Sequence, residues 1–189
     1  DLGQAAVDRK TLQTMDPSRS QAQLQFNGAA AEPLAGANPH SLSELKDGAA
    51  VLLAFEQIGG CRATMEMGIA YTKERYAFGR PVASFQAIKH KFADMFVALE
   101  LARSNAYYGA WALSSDAPDL PLAAATARVS ATDAFYLISK ENIQAHGVMG
   151  FTWEFDCHLY YRRAQYLSSV IGSSREWKDH LATRLLQPA

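Results

Sequence analysis

A guanidinium, an arene and a side-chain amide lie close together in Glu74-Arg-Tyr-Ala-Phe-Gly-Arg-Pro-Val-Ala-Ser-Phe-Gln86. Gly79 and Pro81 break the helical pattern there, because glycine tolerates helix-ending backbone angles and proline has no amide to continue the ladder. The spacing predicts that Arg75, Phe78 and Gln86 meet at a corner between two helices, with Ser84 as the N-cap of the second. A guanidinium fork, an aromatic face and an amide together suit the diphosphate, flat ring and ribose of a nucleotide-like ligand. Two plainer readings remain open: Arg75 as a last-turn cation that complements a helix dipole, and Phe78 as a core side chain.

A second cluster is Gln144-Ala-His-Gly-Val-Met-Gly-Phe-Thr-Trp-Glu154. Backbone N–H groups between Gly147 and Gly150, close to a helix start, could form an anion-binding concavity. Equally, Gly147 could be a simple glycine helix stop. Gln144 precedes the loop and is placed to orient it. His146, His158 and His180 have no evident carboxylate or nucleophile partner and read as structural. Arg162-Arg163 reads as a solvated or interface face. No Cys/His spacing suggests a metal site, and Cys61 and Cys157 sit in helical patterns as buried thiols of a reduced, cytoplasmic protein.

These residues need long helices to position them. Ser41-Leu-Ser-Glu44 has the capping-box pattern and opens a first helix running to about Ala77. Leu52, Leu53, Phe55, Ile58, Met65, Met67 and Ile69 make it apolar on more than one side, which implies burial among several helices or subunits. Gly59, Gly60 and Gly68 lower its helix propensity and so predict close approach of a neighbouring helix. A second helix, about Phe85 to Ser114, carries the stripe Ile88, Phe92, Met95, Leu99, Ala102 and Ala106. A third, about Leu122 to His146, carries Ala125, Val129, Thr132, Tyr136 and Ile143. A fourth spans about Phe155 to Val170, and a second capping box, Ser173 to Glu176, opens a last helix ending near Leu186. Upstream, Ala22-Gln-Leu-Gln-Phe26 alternates as one strand before an Asn27-Gly28 turn, and a lone strand needs a sheet to join. The expected fold is all-α: an antiparallel up-down four-helix bundle plus a short C-terminal helix, preceded by a remnant strand.

Composition narrows the function. With 189 residues, 49% hydrophobic and 20% charged, the chain can bury one substantial core. Eighteen basic residues against nineteen acidic ones argue against a generic nucleic-acid or anionic-membrane surface. No apolar run approaches the roughly 20 residues of a membrane helix. The N-terminus does not read as a signal peptide, and its lack of an initial Met fits an internal start.

Glu74-Arg-x-x-Phe-Gly-x-Pro-x-x-x-x-Gln86 resembles the signature of the C-terminal domain of the acyl-CoA dehydrogenases, and Gln144 to Gly150 resembles that family's Gln-x-x-Gly-Gly-x-Gly loop. The resemblance extends from about Asp16 to the C-terminus. It implies residues 1–38 as the end of a middle β domain with its linker, and residues 39–189 as the helical bundle. It also implies FAD as cofactor. Arg75, Phe78, Gln86, Gln144, Gly147 and Gly150 would hold the adenosine-diphosphate end of a neighbouring subunit's flavin in a homo- or hetero-oligomer, a dimer or tetramer. The implied substrate is an acyl-CoA thioester, and the implied electron acceptor an electron-transfer flavoprotein. Ala77 and Val148 depart from the family pattern, each weakening a contact to the cofactor.

The resemblance also locates a gap. Removing the Cα proton needs a carboxylate, and a well-placed base contributes roughly 10²–10⁴-fold. The family's usual glutamate position falls on Ile171, and its alternative position on Ala49 and Ala50, with Asp47 as the one local substitute. No catalytic residue is therefore assigned. The implied role is half of a dehydrogenase flavin site, as in the base-less subunit of a hetero-oligomeric actinobacterial-type enzyme. A purely structural assembly subunit is the alternative.

Overall fold

The computed structural model describes residue 3 and residues 5–186. The described residues form two short antiparallel ribbons and five helices: β1 (Val7–Leu12), β2 (Gln21–Phe26), α1 (Ser41–Glu74), β3 (Tyr76–Ala77), β4 (Arg80–Pro81), α2 (Gln86–Ser114), α3 (Leu120–His146), α4 (Cys157–Ser169) and α5 (Ser174–Leu186). Short 3-10 turns at Val82–Ser84 and Gly147–Phe151 link the helices around the second ribbon and the glycine loop.

Helix direction follows from the close approaches. Gly48 lies near Leu113 and Gly68 near Phe92, so α1 and α2 run antiparallel. Gly60 meets Phe135 and Gly68 meets Asn142, so α1 and α3 run the same way. Arg128 reaches Leu167 and Asn142 reaches Cys157, which reverses α4 relative to α3. The result is the expected up-down bundle, with α3 at its centre in contact with each of the other four helices. Its alanines (Ala123, Ala124, Ala127, Ala131 and Ala134) are buried on several sides and let the neighbouring backbones approach. The stripe foreseen for α3 is therefore too narrow; Tyr136, placed on it, is 43% exposed.

The α2 stripe is as expected, with Met95, Leu99, Ala102 and Ala106 buried and Phe92 packed against the same core. Together with Phe135, Ile138 and Leu167 they make the main core. Each large apolar side chain buried there stabilises the fold by about 1.5–3 kcal/mol. Trp177 anchors α5 in a second cluster with Val51 and Ala125.

Several local expectations change. α1 stops at Glu74 rather than Ala77, because Arg75 turns extended and the chain folds into the β3–β4 ribbon. The first capping box does not form. His40 is the N-cap and has no side-chain bond to the helix; the Ser41 hydroxyl instead accepts the Asn38 N–H at 2.9 Å. Ser84 is not the N-cap of α2 either: Phe85 is, and the Ser84 hydroxyl donates to the Pro81 carbonyl at 2.7 Å. The second box does form, with Glu176 Oε2 accepting the Ser173 N–H at 2.6 Å and the Glu176 N–H reaching back to the Ser173 hydroxyl. Of the three α1 glycines expected to mark a close approach, Gly60 and Gly68 face neighbours closely enough to exclude a side chain, but Gly59 meets nothing.

The lone strand proves to be half of a hairpin. β1 pairs antiparallel with β2 in the register Val7↔Phe26 to Leu12↔Gln21. The ribbon is fixed to the bundle by Asp16, whose carboxylate takes the Ser18 N–H at 3.0 Å and the Arg163 Nε. Burial raises the Asp16 pKa, but the hydrogen bonds from Ser18 and Arg163 outweigh it and hold the carboxyl below its usual range. Arg163 also binds Glu56 of α1 at 2.6 Å, so it is an internal tie rather than a solvated cation. No helix among the described residues is long and apolar enough to cross a membrane.

Candidate functional site

Arg75 is the last-turn arginine that α1 releases into extended backbone. Its N–H closes the helix on the Tyr71 carbonyl, and its own carbonyl accepts the Val82 N–H at 2.7 Å. Those two bonds fix the residue on both sides while leaving its side chain exposed, and its guanidinium forms no ion pair with any described carboxylate. It lines a cleft of about 390 Å³ with Tyr71, Val82, Ile88, Gln144, His146 and Gly147. Two sequence motifs 70 or so positions apart thus share one wall, as the α1/α2 corner packs against the C-terminal end of α3.

Gly147 ends α3 at φ 61°, ψ −137°, a region that side chains avoid. Its N–H is already committed to the Gln144 carbonyl, so this glycine supplies room rather than a donor: nothing lies within 4 Å of where a Cβ would be. Gly150 differs. A Cβ there would come within 2.5 Å of the Ile143 carbonyl oxygen, so this buried glycine seats the loop on α3 from behind.

The corner does not gather every residue foreseen for it. Phe78 and Gly79 both have positive φ, 52° and 78°, and form the two-residue loop of the β3–β4 ribbon, as a type I′ turn requires. Phe78 stands 96% exposed and is not a core residue; it meets Phe85 edge-on at 6.3 Å. Gln86 is exposed on the first turn of α2. Phe78, Gln86 and Gly150 line no part of the Arg75 cleft. Sequence reasoning missed Arg80, which sits 3.9 Å over the Phe85 ring.

His146 is buried in the cleft wall. Its ring stacks on Tyr71, and its Nδ1 donates to the Asn142 carbonyl at 2.8 Å, because a carbonyl can only accept. Nε2 is buried and has no partner. Burial lowers the pKa, so the imidazole is neutral at neutral pH.

A second cleft, about 340 Å³, brings both expected base positions together. Ile171 and Ala49 line it with Leu52, Leu53, Tyr166 and Val170. Its one carboxylate is Glu56, and a single oxygen of that group already accepts Arg163 at 2.6 Å and Arg19 at 2.9 Å. Asp47 lies elsewhere, buried beneath α5, with its two oxygens held by Arg184 at 3.2 and 3.3 Å. Burial raises its pKa against the pull of Arg184, but an oxygen pair locked in an ion pair is not free to take a substrate proton.

A family model for the acyl-CoA dehydrogenase C-terminal domain matches residues 43–186. Acyl-CoA dehydrogenase IpdE2 of Mycobacterium tuberculosis is 42% identical over 163 residues, covering 86% of this chain and 47% of its own length. Acyl-CoA dehydrogenase FadE34 of the same organism is 42% identical over 134 residues, covering 70% of this chain and 19% of its own. Among solved structures, butyryl-CoA dehydrogenase from Megasphaera elsdenii superposes with a TM-score of 0.88 at 26% identity over 98% of this chain and 50% of that one. The ChsE4-ChsE5 complex from Mycobacterium tuberculosis gives 0.91 at 23% over 100% and 51%, a likeness of fold. The chain spans at most about half the length of these relatives.

Proposed function

The chain belongs to the acyl-CoA dehydrogenase family, as its C-terminal domain, and from that premise we propose that it holds the adenosine-diphosphate end of a neighbouring subunit's FAD. The observation that carries this reading is the Arg75 guanidinium, without an ion pair among the described residues and lining the same cleft as Gln144 and Gly147, with open space over that glycine. Those residues fit a diphosphate: a guanidinium with bidentate capacity on a fixed backbone, an amide that can bond to ribose or phosphate, and room for close backbone approach. Phe78 and Gln86, exposed at the outer corner, would complete the grip from across a subunit boundary. Gly150 supports the loop. Bound there, FAD supplies the hydride acceptor for α,β-dehydrogenation of an acyl-CoA thioester, with an electron-transfer flavoprotein as the onward acceptor.

An oligomer supplies the rest. α2 leaves Phe96, Val97, Leu101, Tyr107 and Trp111 more than half exposed, more apolar surface than a solitary bundle needs to show. The β1–β2 ribbon, residues 1–38 with the linker, would be the end of a middle β domain, and residues 39–189 the bundle. Both cysteines are free and buried, in keeping with a reducing cytoplasm.

The test is FAD content of the full-length protein purified with its partner. Arg75→Ala should weaken flavin binding by roughly 1.5–3 kcal/mol, and Arg75→Lys by less. Unchanged occupancy in Arg75→Ala would remove the role assigned to that residue. The apolar lining at Ile171 and Ala49 favours a second reading, a subunit that assembles the enzyme and lacks its own base. A complex that stays colourless in excess FAD would extend that reading to a chain with no flavin role at all.

A further inference from the structure

Arg128 of α3 is 1% exposed and meets no carboxylate among the described residues. Its guanidinium donates to Gln57 Oε1 on α1 at 3.0 Å, to the Val170 carbonyl at 3.0 Å and to the Leu167 carbonyl, while its Nε has no partner. A buried cation without a counter-ion is costly, and burial lowers its pKa to about 10. Its location shows what offsets that cost. Leu167 and Val170 lie at the end of α4, where carbonyls have no helical N–H to accept and carry the negative end of the helix dipole.

The backbone immediately beyond is unusual. Ile171 has φ +57°, where a β-branched residue is a genuine outlier, and Gly172 follows at +118°. Such a conformation persists only when its surroundings over-determine it. Arg128 grips the residue before it, and the Gly172 N–H closes on the Ser169 carbonyl after it. Held this way, Ile171 lines the cleft together with Ala49.

We propose that Arg128 is a positioning residue: a buried clamp on the α4 carbonyls that holds Ile171 in its left-handed turn and so sets the shape of that cleft. The clamp rests on the geometry alone; its consequence for thioester binding rests on the dehydrogenase reading.

The test is a double-mutant cycle in the full-length protein, read by hydrogen exchange in a peptide spanning residues 168–173 against a reference peptide in α2. Arg128→Met should raise exchange in the 168–173 segment by about tenfold or more relative to the reference, and Arg128→Lys should recover part of that loss. Ile171→Gly removes the strain, so in its background Arg128→Met should accelerate the segment by no more than about threefold. A uniform rise in both peptides, or an equal effect in the two backgrounds, would overturn the clamp. If Arg128→Met does not fold, the same cycle with Arg128→Lys gives the same decision at smaller amplitude. Flavin content measured on the same samples reports separately on the Arg75 cleft, so that reading can fail while the clamp stands.

Discussion

His146 stacks face to face on Tyr71, with ring centroids 4.1 Å apart and planes inclined by 20°. The contact joins the C-terminal turn of α3 to the last turns of α1, directly behind Arg75. Burial depresses the His146 pKa below its ordinary value near 6.5. The unfolded chain therefore takes up the proton first as the pH falls, and stability drops from about pH 6.5 down to the folded-state pKa. We expect the urea midpoint to fall on acidification through that window. In His146→Phe, which keeps an aromatic ring on Tyr71, that part of the slope should vanish. An identical pH profile in the two proteins would show that His146 does not titrate in this way.

Asp47 and Arg184 tie α5 to the start of α1, with side chains 5% and 22% exposed. Arg184 also donates to the Pro121 carbonyl. Removing the cation leaves a buried carboxylate unpaired, so Arg184→Ala should destabilise by about 2–4 kcal/mol at neutral pH. The Asp47 pKa is already raised by burial. In the variant it should rise further, so the loss shrinks as the pH falls and the carboxyl protonates. Asp47→Asn should cost less than Arg184→Ala, because the cation it leaves is more exposed than the carboxylate and keeps the Pro121 carbonyl. Thermal melts at two pH values check both statements.

Adjacent glycines in α1 should respond with opposite signs. A Cβ at Gly60 would lie 2.4 Å from the Phe135 ring, which is itself buried in the main core and cannot move aside without disturbing α3. Gly60→Ala should cost about 1–3 kcal/mol. Gly59 is exposed and faces open space. Gly59→Ala should stabilise by about 0.5–1 kcal/mol through helix propensity alone. Denaturant titrations of the two single variants decide the matter, and equal signs would contradict the packing.

This pair also illustrates how far the sequence is readable. Three glycines in a helix announce a close neighbour, but which of them meets it depends on where α3 crosses, and the spacing does not say. The α2 stripe was legible because it packs on one side only. β1 was hidden because Val7-Asp-Arg-Lys-Thr-Leu12 sets polar residues in succession between its two apolar ends and so shows no alternation. Ser41 matched a capping pattern while its hydroxyl serves the Asn38 amide in the preceding loop, a choice that local chemistry leaves open. The pairing of Arg75 with Gln144 and Gly147 came from two motifs read together. The burial of Arg128 and the pinning of Glu56 had no signal, since each depends on contacts between helices distant in sequence.

The last prediction concerns the missing base. Ile171→Glu would put a carboxylate at the position the family resemblance assigns to the catalytic glutamate, in a cleft whose apolar wall is Ala49, Leu52, Leu53 and Val170 and whose polar groups are Arg19, Glu56 and Tyr166. That apolar wall would raise its pKa, and the left-handed backbone at residue 171 would direct it along a path set by the Val170–Gly172 turn. The positions beside it lend little support: Glu56 is pinned by Arg19 and Arg163, the Tyr166 hydroxyl accepts from Gln21, and Ala49 and Ala50 offer no side-chain hydrogen bond. A carboxylate that is present but unsupported should recover only part of the roughly 10²–10⁴-fold that a positioned base supplies. Anaerobic flavin bleaching by butyryl-CoA, measured on the flavin-loaded full-length complex, reads this directly. Turnover matching that of a base-containing relative after this one change would mean that the cleft had kept its catalytic geometry and lost a single group.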